Sequence, residues 1–370
     1  MNMLKIIIAL TALLLTFAET ALSTGRFPPA IPVKAAILLD ITADDSREEK
    51  PLSLKELRKQ KKEREKQRRR EEKERRRNHG ESATRVRLER GGLEGGRLEP
   101  DPAVFFPPLP EAKVLYERNA DELRAPASLT KMMTALVAVK ESRYRKLKTD
   151  RPISIRWDEA EESDFLAAGD VLPLWEIIYQ MLIVSDNGAA YAIARQLGGD
   201  GKGADGVGGF YRRMNQYAGA MHLTGSYFCD ASGLPAPGHV STARDLSVIA
   251  RYLLKDEDLK PMVGQQARQI SWIYPQAKGM LAENTNELLE KYPGCCGIKT
   301  GFTNAAGYCL AAAAERNGRR LLAVVLGGAE SGDRFIAAAR LLDYGFDLVE
   351  GQPLTDSSVG WHEHLSRWKR

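Results

Sequence analysis

The stretch APASLTKMM, residues 125–133, places a serine and a lysine three positions apart where a helix should begin. Pro126 suits a helix entry, and an apolar stripe from Met132 onward predicts a helix over 126–141 with a polar back. Residues three apart lie one turn apart on the same helix face. The Ser128 hydroxyl would therefore lie beside the Lys131 amine. A capping serine followed by a solvated lysine has the same spacing, so the pair needs partners elsewhere in the chain.

Two further polar motifs follow downstream, in a fixed order. SDN at 185–187 interrupts two apolar helical stretches within 172–197. Its hydroxyl and amide could relay a proton and hold a substrate amide, although these residue types also cap helices. KTG at 299–301 precedes a strand and could hold a carboxylate beside an extended peptide, or it could be a polar strand start before a glycine turn. The set S-x-x-K, S-x-N and K-T-G is typical of penicillin-binding proteins and class A β-lactamases.

The residues around these motifs narrow the class of protein. Residues 33–42 and 112–350 resemble the serine-type D-alanyl-D-alanine carboxypeptidases, the low-molecular-weight penicillin-binding proteins, most clearly in AKVLYERNADELRAPASLTKMMTALVA and GIKTGFTNAAGY. The resemblance implies an α+β fold in three α/β/α layers, β-lactamase/transpeptidase-like. An antiparallel sheet of about five strands would be flanked by helices and joined to a mostly helical lobe. Asn317-Gly318 between two apolar runs independently predicts a hairpin, and helices are predicted over 209–221, 242–254 and 333–349.

The same resemblance implies roles for individual residues. The catalytic group would comprise the nucleophile Ser128, its general base Lys131, and Ser185, which relays the proton towards the leaving amine. Asn187 would hold the peptide amide of the substrate. The carboxylate side would be held by Lys299, Thr300 and Gly301 and by the carboxylate-binding Arg334. The backbone N–H groups of Phe302 and Ser128 would form an oxyanion hole. A serine becomes a useful nucleophile only when a base takes its proton, and lysine is such a base only when its pKa is lowered.

The expected reaction removes the terminal D-alanine of peptidoglycan stem peptides through an acyl-enzyme on Ser128, which β-lactams would trap. A DD-endopeptidase would use the same residues. A β-lactamase is disfavoured because the E-x-x-L-N motif of the class A enzymes is missing from the middle region. A non-catalytic cell-wall binding protein is disfavoured because all three motifs are retained.

No cofactor and no metal are expected. HEH at 362–364 lacks the i, i+4 spacing of a helical zinc site. The cysteines fit no zinc pattern and are expected to be small buried thiols or to form one incidental bridge; they are Cys229, Cys295, Cys296 and Cys309.

Residues outside the motifs suggest the domain organisation. Residues 1–23 carry a lysine, a short apolar run and small residues, which predicts a signal peptide and export to the periplasm or cell-envelope exterior. An uncleaved anchor is the alternative. Residues 43–111 are charged and Pro/Gly-rich, and we interpret them as a disordered insertion in the first hairpin of one catalytic domain over 33–350.

Two basic segments offer surface contacts. Between residues 55 and 77 there are 14 Lys/Arg and 6 Asp/Glu. The short tail 351–370 places Trp361, Leu365 and Trp368 on one helical face within a basic stretch at 361–370. Either segment could touch a membrane surface or an anionic wall polymer weakly, although a charge run is more often only solvated. Nucleic acid is not expected as a partner of an exported protein.

Overall fold

The computed structural model describes residues 28–45, 105–199 and 206–350. The predicted signal peptide (1–23), most of the predicted insertion (43–111), the basic segment 55–77 and the tail 351–370 with its 361–370 stretch and HEH lie outside the described residues. Within the described ranges, no helix is both long enough and apolar enough to cross a membrane.

A five-stranded antiparallel sheet forms the centre of the described structure, with strand order β2-β1-β9-β8-β7. The strands of this sheet are β1 Ala35–Asp40, β2 Lys113–Arg118, β7 Cys295–Thr303, β8 Gly307–Arg316 and β9 Arg319–Gly328. Two small two-stranded antiparallel sheets lie outside it, formed by β3 Pro152–Ser154 with β4 Val171–Pro173, and by β5 Ala267–Ser271 with β6 Gly279–Glu283. The central strands β8 and β9 are almost entirely buried, because helices cover both faces of the sheet.

The helices are α1 Thr130–Arg145, α2 Trp157–Ala160, α3 Leu174–Ile183, α4 Asn187–Gly198, α5 Gly206–Ala220, α6 Ala243–Leu254, α7 Leu259–Val263, α8 Leu288–Lys291 and α9 Asp333–Glu350. These elements confirm the predicted α+β class, with a five-stranded antiparallel sheet flanked by helices. Thr242 caps α6 by accepting a hydrogen bond from the Asp245 backbone N–H at 3.0 Å.

The predicted polar back of the first helix is wrong. Helix α1 packs against α3, α4, α5 and α6, so nearly every side chain from Thr130 to Ser142 is buried. Its polar groups are tolerated because they find hydrogen-bond partners. The Thr134 hydroxyl, for example, donates to the Ala231 carbonyl at 2.6 Å. Burial on all sides is what removes Lys131 from water.

Two antiparallel strand pairs of the sheet, β8–β9 and β1–β2, bear on the predicted hairpins. Asn317 and Gly318 both have positive φ, 49° and 72°, and form the predicted tight turn between β8 and β9. Strands β1 and β2 pair antiparallel, with Asp40 opposite Lys113. Because the chain between these strands is largely outside the described residues, its interpretation as an insertion in this hairpin stays a prediction.

Candidate active site

The serine and lysine of the first motif lie at the start of α1. A single 3-10 turn, Ala127–Leu129, follows Pro126 and leads directly into the helix. Ser128 is half-buried, whereas the Lys131 side chain is fully buried. The Lys131 Nζ lies 2.9 Å from the Ser128 Oγ. The one-turn spacing expected from the sequence thus becomes a direct hydrogen bond.

Three acceptors surround the Lys131 amine. Besides Ser128, the Nζ donates to the Asn187 Oδ1 at 2.7 Å and to the Ser232 carbonyl at 2.7 Å. An amide oxygen and a carbonyl can only accept, whereas a hydroxyl can also donate. A neutral amine would therefore keep its two N–H donors on Asn187 and Ser232 and turn its lone pair to Ser128. The geometry makes the serine hydroxyl the one contact that can give Lys131 a proton.

Burial lowers the pKa of Lys131 to about 7, although the carboxylates of Asp186 and Asp230 act in the opposite direction. An ammonium loses its hydration on burial, which favours the neutral amine. A group with a pKa near neutrality is neutral in a substantial fraction of molecules and still able to accept a proton. This is the condition that a lysine base must meet.

The second motif occupies the break between α3 and α4. Ser185 has a φ of 66°, and the Asp186 carboxylate caps α4 by accepting from the Ala189 N–H at 2.8 Å. This sharp turn brings Asn187 onto the Lys131 amine. Within the described part of the chain, the half-buried Ser185 hydroxyl has no hydrogen-bond partner.

The third motif lies on the edge strand of the sheet, β7. Gly301 faces the serine turn, and a Cβ placed on it would lie 2.9 Å from the Leu129 Cδ1 and 3.0 Å from the Ser128 N. The strand can approach the nucleophile this closely only because position 301 has no side chain. An edge strand also leaves backbone groups available to an extended peptide.

The lysine of the third motif is buried beside the first motif. Lys299 is 1% exposed, and its pKa is well below the ordinary value because of burial and of the positive charges of Lys131 and Arg334. The Thr300 Oγ1 lies 2.5 Å from the Thr285 Oγ1. A carboxylate arriving here would stabilise the charged form of Lys299.

Arg334 and Phe302 complete the predicted set. Arg334, near the start of α9, donates to the Gly301 carbonyl at 3.3 Å and lies over the Tyr308 ring. Phe302 stacks on the same ring with centroids 4.2 Å apart and is 45% exposed. The structure therefore brings all three motifs and Arg334 to one site, while the chemical roles of the individual residues stay predictions.

Sequence reasoning missed the loop that completes the lysine environment. The Asp230 Oδ1 accepts from the backbone N–H groups of Ser232 at 2.7 Å and Gly233 at 2.6 Å, and the Tyr191 hydroxyl donates to its Oδ2 at 2.8 Å. Gly233 has a φ of 95°, and a Cβ there would lie 1.9 Å from the Ala127 carbonyl. This packing aims the Ser232 carbonyl at Lys131. The D-x-S-G text signals a turn, but a backbone carbonyl that contacts a distant lysine leaves no mark in the sequence.

A second missed contact fixes the same loop to α1. The His239 ring accepts from the Cys229 N–H at 3.0 Å through Nδ1, so its Nε2 is free to donate to the Thr130 Oγ1 at 2.9 Å. Burial lowers the pKa of His239, which favours this neutral, bridging form. All four cysteines are free thiols; only Cys309 is buried.

We expect Gly301→Val to lower the rate of serine acylation by on the order of 100-fold, because a displacement near 1 Å in a reacting group costs about that much. The valine side chain would push β7 away from the Ser128 turn. Acylation by a fluorescent penicillin in stopped flow measures the effect. Gly219→Val is a control for folding, since a Cβ at Gly219 meets nothing within 4 Å. An unchanged rate in Gly301→Val would show that the close approach is not required.

The rate of acylation should rise with pH as Lys131 loses its proton. We expect Asp230→Asn to move this rise to lower pH. The carboxylate of Asp230 raises the pKa of Lys131, so its loss lets burial lower that pKa further, while the Asn oxygen can keep the N–H contacts of the loop. The same penicillin assay between about pH 5 and 9 measures the shift. A rise that moves to higher pH in Asp230→Asn would contradict this electrostatic effect of Asp230 on Lys131.

The site combines a serine at a helix start, a buried lysine that is hydrogen-bonded to this serine, and an edge strand packed against the serine turn. This combination defines the DD-peptidase and β-lactamase-like class. A model of the family Peptidase_S11, D-alanyl-D-alanine carboxypeptidase, matches residues 110–330. The chain therefore belongs to the D-alanyl-D-alanine carboxypeptidase family, which confirms the resemblance inferred from the motifs.

Individual relatives agree with this assignment. The D-alanyl-D-alanine carboxypeptidase DacF of Bacillus subtilis is 32% identical over 65% of this chain and 61% of its own length. DacB2 of Mycobacterium tuberculosis is 33% identical over 65% of this chain and 80% of its own. The match to the Bacillus protein thus spans about three fifths of that relative.

Two solved structures share the fold. The Streptomyces K15 DD-transpeptidase superimposes with a TM-score of 0.60 at 30% identity, covering 63% of this chain and 92% of that one. Penicillin-binding protein D2 of Listeria monocytogenes, in an ampicillin-bound form, gives a TM-score of 0.55 at 30% identity, with 63% and 92% covered.

Proposed function

We propose that this protein is a serine D-Ala-D-Ala carboxypeptidase that removes the terminal D-alanine of peptidoglycan stem peptides through an acyl-enzyme on Ser128. One observation carries the proposal: a fully buried Lys131 Nζ lies 2.9 Å from the Ser128 Oγ, and its other two contacts are oxygens that can only accept hydrogen bonds. Family membership and the names of the relatives support the choice of substrate.

The acylation step follows from this arrangement. Neutral Lys131 takes the proton of the Ser128 hydroxyl as the Oγ attacks the carbonyl carbon of the penultimate D-alanine. The N–H groups of Ser128 and Phe302 would stabilise the oxyanion. The C–N bond then breaks, and the departing D-alanine amine takes the proton through Ser185. Water later hydrolyses the ester, and the serine regains its proton.

Substrate would bind as an added strand along β7. The Asn187 amide would hold the peptide backbone, and Thr300, Lys299 and Arg334 would hold the terminal carboxylate. The clustering of the Lys299 and Arg334 cations supports an anionic ligand, because a carboxylate relieves the repulsion between them.

A β-lactam would acylate the same serine, since it offers a reactive amide carbonyl to the same attack. The ampicillin-bound state of the Listeria relative supports this part of the proposal. Export is also proposed, on the signal-like pattern of residues 1–23, with weak envelope contacts through 55–77 or 361–370. Sequencing the amino terminus of the mature protein from a cell-envelope fraction tests export; a retained Met1 in a cytoplasmic fraction would oppose it.

Digestion of purified muropeptides tests the reaction. Release of free D-alanine from monomeric pentapeptide muropeptides supports the carboxypeptidase. Cleavage of cross-linked dimers in preference to monomers would assign the DD-endopeptidase reaction instead. Absence of both products, with no penicillin adduct, would overturn the proposal.

A further inference from the structure

An open groove runs along one end of the central sheet, outside the three motifs. Its larger part is a cavity of about 690 Å³ whose lining includes Lys34, Arg118, Glu122, Arg124, Gly327 and Ala329. A second part of about 370 Å³ shares Lys34, Gly327 and Ala329 and adds Phe302 and Tyr308. We call the two parts together the sheet-end groove. Because they share three lining residues, they form one continuous surface.

The sheet-end groove crosses the whole sheet from the catalytic edge. Phe302 lies on β7, Tyr308 on β8, Gly327 on β9, Lys34 directly before β1, and Arg118 at the end of β2. With strands about 4.8 Å apart, four steps span about 19 Å. An extended peptide covers about 3.4 Å per residue, so five or six residues of substrate would reach from β7 to the far end.

The far end of the groove is cationic. Lys34, Arg118 and Arg124 face a single carboxylate, Glu122, which pairs with Arg124 at 2.6 Å. Arg118 donates to the Ile31 carbonyl at 3.2 Å. In the part of the chain that the structure describes, neither Lys34 nor Arg118 pairs with a carboxylate, and the buried Nε atoms of Arg118 and Arg124 have no hydrogen-bond partner. Buried donors usually find partners, so this end is suited to an anion.

The cationic end is joined to the catalytic strand. Arg124 lies four positions before Ser128 in the sequence. Burial raises the pKa of the Cys309 thiol, and the positive charge of Arg124 acts in the opposite direction. Cys309 on β8 pairs with Gly301 on β7. Gly327 has a φ of 79°, and a Cβ there would lie 3.0 Å from both the Arg124 Nη2 and the Lys34 Cβ. A glycine at this point leaves room on the groove floor for the Arg124 guanidinium and the aliphatic part of the Lys34 side chain.

We propose that the sheet-end groove binds free carboxylate groups of the stem peptide on the acyl side of the scissile bond. This inference rests on the proposed function. Along β7, Lys299 and Thr300 would hold the leaving D-alanine and Gly301 faces the nucleophile, so Phe302 and the groove beyond it lie towards the acyl side. Stem peptides carry carboxylates on this side. A pentapeptide stem has four residues on the acyl side, which extend about 14 Å or three strand spacings and therefore reach Lys34 directly before β1.

Charge reversal at Lys34 tests the inference. Lys34 is exposed, and its hydrogen bonds to Leu326 and Asn119 use only its backbone, so Lys34→Glu should fold. The matched control is Lys113→Glu, which makes the same charge change at an exposed position at the opposite end of β2. Each variant is given two D-Ala-D-Ala peptides of equal length, one with free upstream carboxylates and one with those groups amidated, and D-alanine release yields kcat/KM.

We expect Lys34→Glu to lower kcat/KM for the carboxylate peptide about tenfold relative to its amidated twin, the effect of roughly one charged contact. Lys113→Glu should leave that ratio at the wild-type value, and penicillin acylation should be unchanged in both variants. If Lys34→Glu fails to acylate normally, Arg118→Gln carries the same comparison. An unaltered ratio in a variant that still acylates would overturn the groove assignment and leave the proposed function intact. A wild type that forms no penicillin adduct and releases no D-alanine would instead overturn the proposed function.

Discussion

Ser128→Ala should abolish the covalent penicillin adduct and lower D-alanine release by at least about 10⁴-fold, as loss of a catalytic serine does in other serine hydrolases. Alanine has no Oγ, so no ester can form. The fold should survive, because the Ser128 hydroxyl contacts only Lys131 among the described residues and that lysine keeps Asn187 and Ser232. Intact mass spectrometry after incubation with a penicillin gives the adduct directly.

Ser247→Ala is the matched control for this experiment. Ser247 is a buried serine on α6 whose hydroxyl donates to the Arg244 carbonyl, so the chemical change is the same but lies away from the site. We expect Ser247→Ala to retain a full adduct. A penicillin adduct of undiminished yield on Ser128→Ala would mean that another nucleophile is acylated, and the mechanism proposed here would be wrong.

Candidate side chains for the site can be predicted from the sequence because their chemistry depends on residue type. Ser128, Lys131 and Asn187 could be named from two short motifs, although nothing in the spacing between residues 131 and 187 shows that Lys131 and Asn187 are in contact. That contact depends on the turn at Ser185 and on the packing of α4 against α1. The order of the motifs therefore predicts the members of the site, and only the fold supplies the distances.

Contributions from the backbone could not be predicted in the same way. The Ser232 carbonyl is one of three contacts of Lys131, yet any residue type has a carbonyl. Asp230 matters through N–H groups that it holds in a turn. The polar back expected of α1 failed for a related reason: helical periodicity describes one buried face, and packing on every side overrides it. Tertiary burial, invisible in the motif, is also what sets the pKa of Lys131.

The cations of the site influence one another. Besides burial, the charges of Lys131 and Arg334 lower the pKa of Lys299. In the absence of an anion they therefore disfavour the protonated form of Lys299. A substrate carboxylate beside Thr300 would reverse this effect, because an opposite charge favours the ammonium form. Binding of the terminal carboxylate would then be coupled to the protonation of Lys299, while Lys131, held by Asn187 and Ser232, stays positioned on the serine.

Lys131→Gln should lower the acylation rate by about 10²- to 10⁴-fold, the usual contribution of a general base. Glutamine can still donate to Asn187 or Ser232 but cannot take a proton at neutral pH. Lys131→Arg distinguishes the loss of the base from the loss of the positive charge, since arginine keeps the charge and stays protonated. We expect both variants to be slow. Lys140→Gln is the control, because Lys140 lies on the same helix but pairs with Asp256 at 2.8 Å, away from the serine.

The pH profile of the wild type gives the sharpest check on Lys131. The base must be neutral to act, and the neutral fraction of an amine grows as pH rises through its pKa. With that pKa lowered to about 7 by burial, acylation should be slow at acidic pH, rise about tenfold per pH unit below neutrality, and level off above it. Lys131→Gln should lose this limb while keeping a low, flat rate. A rise in rate centred near the free-lysine pKa of about 10.4 would mean that burial does not lower the pKa of Lys131. An unchanged pH dependence in Lys131→Gln would assign the titrating group to another residue.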